Sequence, residues 1–356
     1  MQPHVWLRAE SKPLESRTAL TPEFAERLIA AGYALTVEAC EQRAIPTEEY
    51  RSLGCSIAEP HSWKSEAPQD TIVLGLKELE ENDELLKHRH IHFAHVYKNQ
   101  KGWEDVLRRF KSGGGQLYDL EYLVDENGRR VAAFGYWAGY AGAALAALAW
   151  ARKESGEATP LETQKPRANK NVLVEELTTA IEKTGKRPKM MVIGALGRSG
   201  QGAVELGKAI NADVVEWDIE ETKAGGPFPE ILECDIFLNC VFIQKSIPPF
   251  VTTEMLQNQQ HNLSVICDVS CDPYGDYNPL PIYNKCTTFD DPTLRVVDGD
   301  KPVDLISIDH LPSLLPVESS EDFCEQLMPY LLKLDQLDDG VWGRAFDIFQ
   351  QKSQLV

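Results

Sequence analysis

Three ionisable side chains, Lys77, His95 and Glu121, each follow an apolar run that reads as a strand, in GLKE, FAHVYK and YDLEYL. The carboxyl ends of parallel strands are where α/β sheets present reactive groups. Histidine titrates near neutrality, and a lysine crowded by other cations can be lowered toward the same range, so the three together point to proton transfer. Any one alone would read as a snorkelling or capping residue. Arg8, Lys12 and Arg17 form a basic stretch and Arg129-Arg130 another, residue types suited to clamping carboxylates. His88, His90 and His92 alternate onto one strand face, with His95 beyond them. No adjacent Asp, Glu or Cys completes a familiar ligand set, so no metal is expected.

A second kind of chemistry is written in MMVIGALGRSGQG, where an apolar strand runs into glycines and then a helix. Glycines let the backbone approach a pyrophosphate, and the helix N-terminus offers free N–H groups. Gly197 and Gly200 fit the second and third positions of a G-x-G-x-x-G pattern, Ala195 takes the first, and Gly194 precedes it. Asp218 ends the following strand, DVVEWD, where an acidic side chain accepts bonds from ribose hydroxyls and repels a 2′-phosphate. Dinucleotide binding follows, with NAD favoured over NADP.

The elements that must position these groups alternate between strands and helices. HVWLRAE, YALTVEA, TIVLGL, HIHFAHV and QLYDLEYL read as strands; Thr21-Pro22 opens a helix that Gly32 closes, and TEEYRSLG reads as a short capped helix. A second series runs through MMVIG, GQGAVELGKAI, DVVEWD, IFLNCV, SVICDVS and LISIDH. The expected class is α/β, built on open parallel sheets. Residues 1–134 with 320–356 form the expected substrate-side domain, the amphipathic tail from Glu321 returning to it, and 135–319 the NAD-binding domain. The polar stretch 154–187, with a helix in VLVEELTTAIEK, reads as an insertion or connecting element. Val131 to Ala151 carries no charge over about the length that spans a bilayer. It is mostly Ala and Gly, so it reads instead as a buried strand end leading into a core helix.

Composition narrows the classes. The chain has 356 residues, 36 Lys plus Arg against 55 Asp plus Glu, and a net charge of −19. Such acidity disfavours nucleic acid and anionic membrane as partners. Eight cysteines without a Cys-x-x-Cys pair suit a reduced, cytoplasmic protein. The opening MQPHVWLRAESK has no basic segment followed by an apolar run, so no secretory signal is expected.

LRAESKPLESRTALTPEFAERLIAAG, GLKE, FAHVYKNQ, YDLEYL, GRRVAAFGYWAGYAGAA, GALGRSGQGA, WDIEETKAGGPF and ISIDHLPSLLP resemble the NAD-dependent, lysine-forming saccharopine dehydrogenases. The N-terminal part is shared with alanine dehydrogenases and transhydrogenases; the later motifs are the diagnostic ones. The resemblance implies two Rossmann-like doubly wound domains with an active-site cleft between them, in a monomer that oxidises saccharopine with NAD and hydrolyses the imine through a carbinolamine to L-lysine and 2-oxoglutarate. It implies Lys77 as general base and His95 as general acid, with Glu78 and Glu121 tuning nearby proton affinities. Arg17, Lys77, Lys98, Glu121, Arg130, Phe134, Ser270, Cys271 and Asp272 are the implied substrate contacts. Arg129, Gly197, Arg198, Asp218, Thr222, Phe242, Val269, Ile308, Asp309, His310 and Leu311 are the implied dinucleotide contacts. Two departures stand out: relatives can carry a cysteine where Ser199 stands, able to pair with Cys240, and Cys271 sits where a small residue is usual. The competing readings are an alanine-dehydrogenase-like oxidoreductase and a non-catalytic dinucleotide-binding sensor.

Overall fold

The computed structural model describes every residue except 1, 99, 158–160, 244, 259 and 276. Asn99 of the FAHVYKNQ stretch therefore lies outside the described residues. The chain divides into two compact units, Met1–Ala133 with Pro316–Val356, and Phe134–Leu315.

The first unit is built on six strands: β1 (His4–Leu7), β2 (Ala34–Glu38), β3 (Ser56–Ala58), β4 (Ile72–Leu74), β5 (Arg89–His92) and β6 (Gln116–Asp119). All pair in parallel, in the order β3-β2-β1-β4-β5-β6. This is the doubly wound Rossmann order, and its direction reverses between β1 and β4. Strands such as β4, buried along their whole length, read as continuous apolar runs because helices cover both faces. Pro22 starts the helix Pro22–Ala30, although Thr21 makes no side-chain cap. The short helix Thr47–Ser52 likewise lacks the expected cap, since Pro46 takes the N-cap position. The closing helix Gly340–Ser353 packs on β6, with Trp342 edge-on to Tyr118 and Phe349 against Phe110. The helical tail begins at Pro316, five residues before the expected Glu321, with the helix Pro316–Leu331.

The second unit carries β7 (Lys189–Ile193), β8 (Asp213–Trp217), β9 (Ile236–Asn239), β10 (Val265–Asp268), β11 (Leu294–Val297) and β12 (Val303–Ile306), ordered β11-β12-β10-β9-β7-β8. Here the winding reverses between β7 and β9. The edge strand β11 runs antiparallel to β12 and went unread in the sequence, being only four residues long with one of them buried. The uncharged stretch is the helix Gly135–Glu154, and residues 131–134 before it are turn and coil, not the expected strand end. A Cβ on Gly139 would lie 1.7 Å from the Ser199 carbonyl oxygen of the helix Arg198–Ala209. Small residues here serve close helix–helix approach, and no helix of the described residues is long and apolar enough to cross a membrane. The stretch expected to be an insertion or connecting element holds the expected helix, Lys170–Thr184, and its Leu173, Leu177 and Ile181 are buried in the same cluster as Gly135–Glu154.

Candidate active site

In the first unit the loops after β1 and β4, flanking the reversal, carry a dense set of charges. Arg8 and Glu10 form a buried pair 3.3 Å apart. Glu10 accepts the backbone N–H groups of Leu76 at 2.6 Å and Lys77 at 2.9 Å, while Arg8 donates to the Lys77 carbonyl. Two buried side chains thus hold the turn that presents Lys77, three residues beyond the last residue of β4. Glu15 accepts from Arg17 Nε at 2.8 Å and Nη2 at 2.6 Å, both residues being buried. Burial alone would raise the Glu15 carboxyl, but Arg17 and the nearby Lys77 ammonium outweigh it and hold the group below its usual range.

His95 lies three residues past β5 in a left-handed conformation, φ 54°. Its Nδ1 is 2.5 Å from Glu78 Oε1, and Lys12 Nζ is 3.6 Å from the other oxygen of Glu78. Against burial, His95 and Lys12 draw the Glu78 carboxyl far down. Glu121, in the single turn after β6, accepts from Lys98 at 2.6 Å and stands 3.4 Å from Arg130. Burial again raises that carboxyl and Lys98, with Arg130 and His95, overcomes it. Carboxylate and cation alternate, so the set is neither bare base nor bare acid. His88, His90 and His92 stack edge-on in a ladder with Trp63 and Phe110. No cluster of metal-ligating residues occurs among the described residues.

In the second unit β7 runs directly into the glycine turn. Gly194 has φ +90°, and a Cβ on Gly200 would meet the Gly194 carbonyl oxygen at 2.0 Å, so turn and helix close on each other only with glycine there. Gly197 occupies the N-cap of Arg198–Ala209 without a side-chain cap, and a helix N-terminus of this kind suits an anion. Asp218 follows β8; its two oxygens accept from Leu196 N and Ile219 N at 2.9 Å each, tying strand end to turn. Thr222 Oγ1 closes the same bend on the Asp218 carbonyl at 2.8 Å. Leu196, Ile219 and Phe242, at the carboxyl ends of β7, β8 and β9, are 72 %, 71 % and 58 % exposed, an apolar rim suited to a flat aromatic base. Ser270 follows β10 and donates to Asp268 Oδ1 at 2.6 Å, while Tyr283 donates to Oδ2 at 2.6 Å. Cys271 has φ 50° and its Sγ is 3.3 Å from Cys286 Sγ; Cys240 is a free thiol.

Models of the alanine dehydrogenase/PNT N-terminal and C-terminal domains match residues 6–141 and 229–347. The chain is 52 % identical to the NAD(+), L-lysine-forming saccharopine dehydrogenase of Emericella nidulans, over 98 % of this chain and 96 % of that one. It is 49 % identical to the enzyme of that name from Schizosaccharomyces pombe, over 99 % of both chains. The chain belongs to the NAD(+), L-lysine-forming saccharopine dehydrogenase family. Among solved structures, an L-alanine dehydrogenase covers 98 % of this chain and 94 % of its own at TM-score 0.68 and 16 % identity. A transhydrogenase from Sinorhizobium meliloti covers 96 % and 97 % at TM-score 0.65 and 17 % identity. Both share the two doubly wound halves with this saccharopine dehydrogenase family member.

Within that family frame, the residues expected from sequence fall into local groups. Arg17, Lys77, Glu78, His95, Lys98, Glu121 and Arg130 all lie on loops leaving β1, β4, β5 and β6. Gly197, Arg198, Asp218, Thr222, Phe242 and Val269 lie after β7 to β10, with Ser270, Cys271 and Asp272 continuing the last loop. Ile308 and Leu311 side chains are 1 % exposed and face the core, so any contact there is made by backbone or by Asp309 and His310. Sequence reasoning passed over Glu10, Glu15 and Asp119. The first two sit in the quoted LRAESKPLESR stretch, where acids alternate with bases, and that alternation was the available signal.

Proposed function

We propose that the chain catalyses the NAD-dependent oxidative cleavage of saccharopine to L-lysine and 2-oxoglutarate. The observation that carries this reading is the near-full-length identity to relatives named for that activity. The residues fit NAD: an uncapped glycine N-cap, a turn closed to any Cβ at Gly200, and a carboxylate at the next strand end. Gly197, Arg198, Asp218, Thr222, Phe242 and Val269 would hold the dinucleotide, with the backbone of Ile308 and Leu311 and the side chains of Asp309 and His310. When bound, NAD accepts the hydride from the substrate carbon.

The remaining chemistry is proton transfer. Lys77, placed by Glu10, takes the proton of the secondary amine, freeing the nitrogen lone pair to form the C=N bond as hydride departs. His95 takes a proton as water adds to the imine carbon and gives it to lysine's nitrogen as the C–N bond of the carbinolamine breaks, the hydroxyl proton leaving to solvent as the keto group forms. Glu78 fixes Nδ1 of His95, leaving Nε2 for exchange. Saccharopine carries three carboxylates, and the concentration of Arg17, Lys98 and Arg130 on neighbouring loops suits it better than a substrate with one. Glu121 and Glu78 offset those cations. The reading takes the enzyme to be a cytoplasmic monomer; sedimentation of the purified protein tests the second point.

The assay is NADH oxidation with 2-oxoglutarate plus L-lysine, run beside pyruvate plus ammonia. Turnover with the first pair and little with the second is expected. Preference for pyruvate and ammonia would assign the chain to alanine-type chemistry, and no turnover with either, despite tight NADH binding, would make it a sensor.

A further inference from the structure

Two thiols that the proposed chemistry leaves unused meet in the second unit. The Cys271 thiol donates to Cys286 Sγ at 3.3 Å, and both residues are half-buried free cysteines. Cys271 lies three residues past the end of β10. Cys286 precedes Thr287, which pairs with Ile308 just beyond the neighbouring strand β12. Each thiol is tied down through its neighbour in sequence. Ser270 donates to the buried Asp268 Oδ1 through its amide at 3.1 Å and its hydroxyl at 2.6 Å. The Thr287 amide donates to the Ser307 carbonyl at 2.8 Å, and Thr287 Oγ1 accepts the Ser307 amide at 2.9 Å. Cys271 itself has φ 50°, a left-handed conformation that persists in a non-glycine residue only where the surroundings fix it.

Sulfurs held in contact from two anchored loops have only about 1.2 Å to close before they bond, since an S–S bond is about 2.05 Å long. We propose that Cys271 and Cys286 form a reversible modification site: a hydroperoxide oxidises the pair to an intramolecular disulfide, and a small thiol reduces it again. One sulfur, as thiolate, attacks hydrogen peroxide and breaks the O–O bond, giving a sulfenic acid and one water. The other sulfur displaces the hydroxyl as a second water, its own proton leaving with it. The peroxide gains the two electrons that the sulfurs lose, and two equivalents of a small thiol return them. Burial pushes the Cys271 thiol up, with Ser307 opposing and Cys286 adding to the rise, so the bridge forms faster as pH rises and thiolate accumulates. Once closed, it ties the loop carrying Ser270 and Asp272 to the chain beside Ser307. Its effect on turnover rests on the proposed function, with Ser270 and Asp272 as substrate contacts; the bridge itself does not.

The test exposes the fully reduced, unmodified enzyme to graded hydrogen peroxide, blocks the remaining thiols by alkylation, digests without reductant and maps the peptides by mass. A peptide joining Cys271 to Cys286, lighter by two hydrogens than its parts, should appear in step with a fall in turnover. That fall should be about tenfold or more, the scale of a displaced substrate contact, and dithiothreitol should reverse both changes. Cys286→Ser, whose turnover before oxidation should match the unmodified enzyme, should yield no joined peptide and keep its activity through the same exposure. Recovery of Cys271 and Cys286 only as separate alkylated or over-oxidised peptides overturns the site. Equal inactivation of Cys286→Ser, or a bridged enzyme with unaltered turnover, overturns its control of catalysis. If the reduced enzyme does not turn over 2-oxoglutarate with L-lysine, the proposed function fails, while the peptide map still decides whether the bridge forms.

Discussion

The crossing of Gly135–Glu154 over Arg198–Ala209 can be tested by a single methyl group. A Cβ on Gly139 would stand 1.7 Å from Ser199 O and 2.6 Å from Ser199 C, against an ordinary contact of 3.4–4 Å. The obstacle is backbone in the first turn of a helix, so no rotamer change relieves it; the helices must part by about 1.7 Å. Overpacking of this kind costs typically 1–3 kcal/mol, and a backbone obstacle places Gly139→Ala near the top, about 3 kcal/mol. At roughly 2–4 °C per kcal/mol for a unit of this size, melting should fall by about 6–12 °C. Because Ser199 belongs to the same turn as Gly197 and Gly200, the displaced helix also moves the proposed pyrophosphate cradle. NADH affinity, followed by fluorescence titration well below the melting range, should therefore drop about tenfold or more. Gly202→Ala, whose Cβ would meet Tyr136 O at 1.9 Å, should act in the same direction. Gly139→Ala with unaltered melting and unaltered NADH affinity would refute the close crossing and its link to the cofactor turn.

Other outcomes follow from the same geometry. Asp218→Ala leaves the Leu196 amide without its acceptor and removes the charge expected to repel a 2′-phosphate, so NAD affinity should weaken by roughly 1–3 kcal/mol and the NAD over NADP preference should narrow; equal catalytic efficiency with NADP in the unmodified enzyme would end that assignment. Glu15 has its folded value depressed, so the stability it contributes is present above its ordinary carboxylate value and lost as pH falls through the folded value. Glu15→Gln should therefore destabilise most near neutral pH and progressively less in acid, which denaturant melts across the acid range would check. Lys77→Met and His95→Gln should each lower turnover about 10²-fold or more with NADH binding nearly unchanged, and the double variant should fall far short of the product of the two. A double variant that kept normal turnover and both pH limbs would show that other residues carry the chemistry.

Much of this was legible in the sequence because it is local. An apolar run, a glycine turn and a helix in succession, as at Met190 to Ala209, need no distant partner to be read. The same holds for Lys77, His95 and Glu121, which follow strands directly. What resisted reading depends on partners far along the chain. Glu10 grips the amides of Leu76 and Lys77, more than sixty residues away, and nothing near Glu10 says so. Asp119 looks like a turn-capping residue in QLYDLEYL, and only the packing of β5 and β6 shows that it is sealed from water. The helix Lys170–Thr184 lay in a charged stretch whose three buried apolar positions are outnumbered by polar ones, so its composition hid a core face.

The two halves repeat one topological device with opposite chemical contents. Each sheet reverses its winding at a single point, and a doubly wound sheet opens a crevice there at the carboxyl ends of its strands. In the first unit the loops at that point, after β1 and β4, carry the buried ion pairs Arg8–Glu10 and Arg17–Glu15 together with Lys77 and Glu78, all of them titratable side chains. In the second, the loop after β7 turns on Gly194, Gly197 and Gly200, where a Cβ on Gly194 or Gly200 would meet a neighbour closer than 3 Å and the helix N-cap is a glycine without a side-chain cap. Proton transfer requires titratable groups held rigidly, which costs burial of charge, whereas pyrophosphate binding requires close backbone approach, which any Cβ would spoil. Neither loop set could serve the other purpose without losing its own. An exchange such as Gly200→Lys, which adds a cation beside the second crevice, should therefore weaken NADH binding despite the added charge, because its Cβ would stand 2.0 Å from the Gly194 carbonyl oxygen and force apart the turn and helix that form the cradle.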